Sequence, residues 1–163
     1  MAVFATGVAV GAALPSAWST RPITPSAAAS PGIAASGPSD AGLPRYPVDV
    51  TRVIDGDTFE GRVRAWPGID ITTKVRLRDI DAPEMKGRCE REFAQAQAAR
   101  QALVDLLNGG IVSITRVSLD KYGGRVLAEA SAGRTADVAA VLLDAGLVRR
   151  YSGGRRQAWC DGT

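Results

Sequence analysis

Arg76-Leu77-Arg78-Asp79-Ile80-Asp81-Ala82-Pro83-Glu84 converts a run rich in β-branched residues into an acidic corner. The run before it, residues 71–77, reads as a strand. Asp81-Ala82-Pro83-Glu84 reads as irregular, because the residue before a proline is pushed out of the helical region. Upstream, Asp55-Gly56-Asp57-Thr58 follows another strand-like run and has the composition of a turn. Three acids, an arginine and a proline corner thus fall where a divalent cation and a phosphate could meet. Hard cations such as Ca²⁺ are held by carboxylate and carbonyl oxygens. A phosphodiester needs its developing charge offset as the transition state forms, which arginines and metal ions supply.

Outward from these stretches the pattern is strands first, then mixed elements. Residues 46–54 alternate and are β-branched; residues 58–63 continue after the Asp-Gly-Asp turn; Trp66-Pro67-Gly68 marks a loop. Residues 88–108 have helical spacing, with Cys89, Phe93, Ala96, Ala99, Leu103 and Leu107 on one face and Asn108-Gly109-Gly110 as the stop. Residues 111–117 and 125–130 read as two more strands. Residues 136–145 read as a second helix with Thr135 as N-cap, and residues 149–163 as an irregular tail. Five short strands, with a helix between the third and fourth and a second helix after the fifth, predict an α+β, mainly β fold: a small closed barrel of the OB type.

A chain of 163 residues, 45% hydrophobic, suits one modest domain plus extra sequence. The formal net charge of +3 is compatible with an anionic partner without requiring one. The absence of histidine excludes Ser-His-Asp and Cys-His chemistry and His-ligated zinc. The two cysteines, Cys89 and Cys160, make either one disulfide or two unrelated buried thiols. Residues 1–19 contain a short apolar run of small residues, without a basic residue before it, then Pro15-Ser16-Ala17-Trp18-Ser19; this is signal-like or an anchor and points to export. Residues 20–44, rich in Pro, Ala, Ser and Gly, read as a disordered linker. The folded domain is expected over residues 45–163, with no transmembrane helix in it.

The Arg76-Leu77-x-x-Ile80-Asp81-x-Pro83-Glu84 segment, with Asp-Gly-Asp-Thr upstream, Asp120-Lys121-Tyr122-Gly123 downstream and this element order, resembles the staphylococcal nuclease (thermonuclease) family over roughly residues 46–151. The resemblance implies a Ca²⁺-dependent enzyme that hydrolyses phosphodiester bonds of DNA and RNA with little sequence specificity and leaves 3′-phosphates. It implies that Asp57 and Asp81 ligate Ca²⁺ through their carboxylates and Ala82 through its backbone carbonyl, with Asp55 shaping the site behind them. Glu84 is implied as the general base or positioner of the attacking water, and Arg76 and Arg125 as the arginines that offset charge. Lys121, Tyr122 and Tyr151 match positions that contact substrate. The chemistry of the residues agrees, since a carboxylate base suffices where a metal helps to place the water. Asp79 is read as a solvated charge or a salt-bridge partner.

The chain also departs from the family pattern. Two glycines, Gly123 and Gly124, precede Arg125 where the family has one, and the turn is expected to absorb the extra residue. The hairpin between Thr58 and Arg76 is longer, and Trp66 at its tip is either a stacking platform for a base or a local packing residue. In place of a long third helix the chain has an arginine-rich tail. A Cys89–Cys160 disulfide is expected to pin that tail to the first helix, and Arg149, Arg150, Arg155 and Arg156 either track a nucleic-acid backbone or are solvated. No protein partner is expected. The alternative to an enzyme is a non-catalytic OB-fold nucleic-acid-binding module of the cell envelope. A Ca²⁺-stabilised structural domain stands behind both.

Overall fold

The computed structural model describes residues 42–121 and 123–160. The signal-like segment, nearly all of the linker, and Tyr122 lie outside the described residues. Seven strands and two helices follow in order: β1 (Tyr46–Val53), β2 (Thr58–Trp66), β3 (Ile69–Leu77), β4 (Ile80–Asp81), α1 (Glu90–Leu107), β5 (Val112–Leu119), β6 (Arg125–Ala132), α2 (Val138–Asp144) and β7 (Arg149–Arg150). Five strands close into a barrel in the order β1-β2-β3-β6-β5. The pairings are antiparallel except β3–β6, which run parallel, so the expected OB-type barrel is the architecture found.

Alternation drives the closure. Along β2, Phe59, Gly61 and Val63 turn inward while Arg62 and Arg64 stay in solvent, as period-2 patterning demands. The inner ends of the strands supply Phe59, Val75, Leu77, Ile114 and Ala128 to one core; α1 adds Ala99, Leu103 and Leu107, and α2 adds Val138 and Leu142. The far half of the β2–β3 hairpin runs beyond this core, which leaves Ile69, Ile71 and Trp66 exposed. Trp66 is 71% exposed, so packing does not account for it.

Four expectations are corrected. The inward stripe of α1 is Glu92, Ala96, Ala99, Leu103 and Leu107, so Phe93 is 48% exposed; Glu92 stands one turn before Ala96 and takes the inward place. The second helix is capped by Asp137, whose carboxylate accepts from the Ala140 amide at 3.0 Å, because Thr135 is engaged in a two-way backbone bridge with Ala132. The acidic corner is not wholly irregular, since Ile80 and Asp81 form β4. The tail is not wholly irregular either, since Arg149 and Arg150 form β7 and pair with it, Ile80↔Arg150 and Asp81↔Arg149.

Candidate active site

The acidic turn is fixed by close packing. A Cβ on Gly56 would come within 2.6 Å of the Ala99 Cβ and 3.0 Å of the Ala82 Cβ, so only glycine lets α1 and the acidic corner meet there. Asp57 and Thr58 follow directly and are buried. The Asp57 amide donates to Asp55 at 3.1 Å. Burial, reinforced by the neighbouring Asp57 charge, pushes the Asp55 carboxyl up to about 6. That lies above its ordinary 3.8, so ionising Asp55 costs fold stability as pH rises through that window.

Asp57 then gathers the corner around itself. Its Oδ2 accepts from Arg76 at 2.9 Å and from the Ala82 amide at 3.0 Å; its Oδ1 accepts from the Thr58 hydroxyl at 2.7 Å. The Arg76 guanidinium, on a side chain only 6% exposed, also donates to Asp81 at 3.3 Å and to the Ile80 carbonyl at 3.2 Å. Its centre stands 5.9 Å from the Tyr151 ring. Arg76 is therefore a buried ion-pair hub as well as a cleft residue.

Arg125 reaches the same cleft from the next strand. The parallel pairing sets Arg76 opposite Leu127, and Arg125 lies two residues earlier on that face. Gly123 and Gly124 both take positive φ, 69° and 65°, so the extra glycine is absorbed in the turn before β6 begins. The Arg125 guanidinium pairs with buried Asp120. Arg76, Arg125, Lys121 and Tyr151 line one cleft of about 530 Å³. Tyr122 lies outside the described residues.

Glu84 stands apart, 57% exposed, and pairs with Arg156 of the tail. Arg156 also lies 3.0 Å from Asp81 Oδ1. A set of oxygens suited to a hard cation is thus present in Asp57, Asp81, Glu84 and the Ala82 carbonyl, but guanidinium groups separate the three acids. Among the described residues, the ligand atoms of three or more metal-binding side chains lie within 4.8 Å of one another at Cys89, Glu92 and Cys160. Those two sulfurs are joined in a disulfide and offer no thiolate.

Asp79, read as a solvated charge or a salt-bridge partner, is exposed at a left-handed turn (φ 61°), and its carbonyl accepts from the Tyr151 amide at 2.9 Å. Glu92 escaped sequence reasoning, as did the place of Arg156 at the acidic corner. Buried Glu92 accepts from the amides of Arg88 (2.8 Å) and Glu84 (3.4 Å), which fixes the loop that carries Glu84. A glutamate at the third position of a helix is a known back-reaching cap and was the available signal. Arg156 had no local signal, because the tail is brought there by distant pairings. The Cys89–Cys160 disulfide expected from the sequence is present and spans 71 residues.

The profile described as Staphylococcal nuclease homologue matches residues 74–159, from β3 through to the tail. The chain belongs to the staphylococcal nuclease homologue family. Within it, a micrococcal nuclease of Shigella flexneri is 40% identical over 75 residues, which cover 46% of this chain and 37% of that relative's length. The family match takes in Arg76, Asp81, Glu84, Arg125 and Arg156; Asp55 and Asp57 precede it and Cys160 follows it. No helix among the described residues is long and apolar enough to cross a membrane.

Proposed function

We propose that this chain is an exported, Ca²⁺-dependent nuclease that hydrolyses phosphodiester bonds of DNA and RNA with little sequence specificity. The observation that carries this reading is the convergence of Arg76 and Arg125 on one cleft of about 530 Å³, with Asp57 and Asp81 directly behind Arg76. Two guanidiniums from adjacent strands suit a phosphate whose oxygens gain charge during attack. Family membership and the 40% identity to a micrococcal nuclease support the same reading.

In this scheme Asp57 and Asp81, with the Ala82 carbonyl, would hold Ca²⁺, and Asp55 would shape the site behind them. The bound cation would supply charge neutralisation at phosphorus and help to order the attacking water. Glu84, exposed at the rim, takes a proton from that water or holds it in line. Arg76 binds the phosphate from the cleft wall, where its pairs with Asp57 and Asp81 fix its direction. Arg125 approaches from β6 and offsets charge on the leaving side. Lys121, Tyr122 and Tyr151 contact the flanking nucleotides, Tyr151 through its ring. Recognition by backbone charge and stacking leaves base edges unread, which accounts for low sequence specificity.

The test is purified protein mixed with single-stranded DNA, with Ca²⁺ or with a chelator. Cleavage with Ca²⁺ and none with the chelator is the expected outcome. Binding without cleavage would replace the enzyme by a non-catalytic nucleic-acid-binding module. Neither binding nor cleavage would leave a structural domain.

A further inference from the structure

The tail is held at both ends. At one end β7 pairs with β4. At the other, Cys160 is bonded to Cys89 beside the start of α1. Between them Trp159 is buried, with the Arg149 guanidinium 3.8 Å from its ring centroid, and its carbonyl accepts from Arg91 at 2.9 Å. The Ala158 carbonyl accepts from Arg149 at 3.0 Å. The segment between these anchors carries Arg156 across the acidic corner. There its Nε lies 3.0 Å from Asp81 Oδ1 and its Nη1 bonds Glu84 Oε1.

We propose that Arg156 is a tethered internal cation that competes with the divalent metal for Asp81 and Glu84, so that the tail sets the metal affinity of the site. This rests on the metal reading given above. One guanidinium bridges a carboxylate assigned to the metal and the carboxylate assigned to the water. Neither acid can give its oxygens fully to Ca²⁺ while Arg156 holds them, because the two cations seek the same lone pairs and repel each other. An arginine keeps its charge at neutral pH, so the guanidinium stays on these carboxylates there. A cation must displace it. The disulfide matters because it keeps the guanidinium at high local concentration, as a short linker does for any second contact.

The experiment is Ca²⁺ titration of chelator-dialysed protein without nucleic acid, followed by calorimetry and by the Ca²⁺-induced shift in melting temperature. Wild type is compared with Arg156→Ala, Arg156→Lys and Arg155→Ala. Arg155, exposed in the same tail, controls for net charge. Removing two partly exposed ion pairs should tighten Ca²⁺ binding roughly five- to thirtyfold in Arg156→Ala. Arg156→Lys should fall between that variant and wild type, and Arg155→Ala should stay near wild type. Reduction of the disulfide should move wild type towards Arg156→Ala. Equal or weaker Ca²⁺ binding in Arg156→Ala, or equal tightening in Arg155→Ala, overturns the inference and leaves the metal reading intact. Absence of Ca²⁺ binding in all four proteins overturns both.

Discussion

The two sides of the acidic corner present arginines by opposite means, and Arg76 and Arg156 meet at Asp81. On the barrel side, Arg76 and Arg125 are set by strand register: each sits in a ladder whose neighbours are fixed by β3–β6 pairing, and Arg76 is buried within its ion pairs. On the tail side, Arg156 is 41% exposed, on a segment of bends and loops held by a two-residue strand and a disulfide. A ladder distributes its constraint over many hydrogen bonds, whereas a staple places it at one covalent point. The barrel arginines therefore serve the fold and the cleft together. The tail arginine can change partners without disturbing the core.

Removing a charge on either side separates the two. Arg76→Ala should do the most damage, since it removes the guanidinium paired with buried Asp57 and leaves Asp81 only Arg156. A loss on the order of 3–5 kcal/mol in denaturant unfolding is expected, along with the cleavage activity. A fully stable Arg76→Ala would mean that the hub is not structural. Glu84→Gln isolates the chemistry, because Glu84 is exposed and paired only at the rim. Its rate should fall by roughly 10²–10⁴ with an almost unchanged melting temperature, and a near-normal rate would remove Glu84 from the proposed role. Replacing both cysteines by serine should lower stability by up to about 4 kcal/mol, the chain-entropy value for a loop of this length. Thermal melts under non-reducing conditions check it, and an unchanged melt would show that β7 alone holds the tail.

The smallest effect is expected at Asp49, far from both sides, where β1 faces β2. Its hydrogen bond to Arg64, with help from Arg62, holds its carboxyl below the ordinary 3.8. A carboxyl lowered by folding contributes stability above its unfolded pKa and loses it as pH falls through the folded value. Asp49→Asn should therefore cost a small, salt-sensitive amount at neutral pH that shrinks as acid protonates Asp49. A loss that persists in acid would assign the effect to packing.

Much of this was legible in the chain. The alternation around Phe59 and Val63, the turn at Gly56 and the helical spacing of Ala96, Ala99, Leu103 and Leu107 are local patterns, and each element buries the face that its own sequence marks. Phe93 and Thr135 misled because tertiary neighbours decided their places. Glu92 took the inward position one turn before Ala96, and the bridge to Ala132 engaged Thr135. The acids of the corner and Arg76 were legible as a group, while the pairing of guanidiniums with each of those acids was not.

By itself the sequence determined the five barrel strands, the two helices, the barrel class and the acidic corner with its arginine, and it allowed a single internal disulfide, Cys89–Cys160. Periodicity, proline stereochemistry and residue counts act over a few neighbours or by exclusion, so a single chain read in order displays them. Tertiary structure alone decided that Arg76 and Arg125 share a cleft, that Arg76 is buried among the acids, and that Arg156 crosses to Asp81 and Glu84. Those contacts join residues far apart in the chain, and only closure of the barrel and the bond at Cys160 bring them within reach of one another.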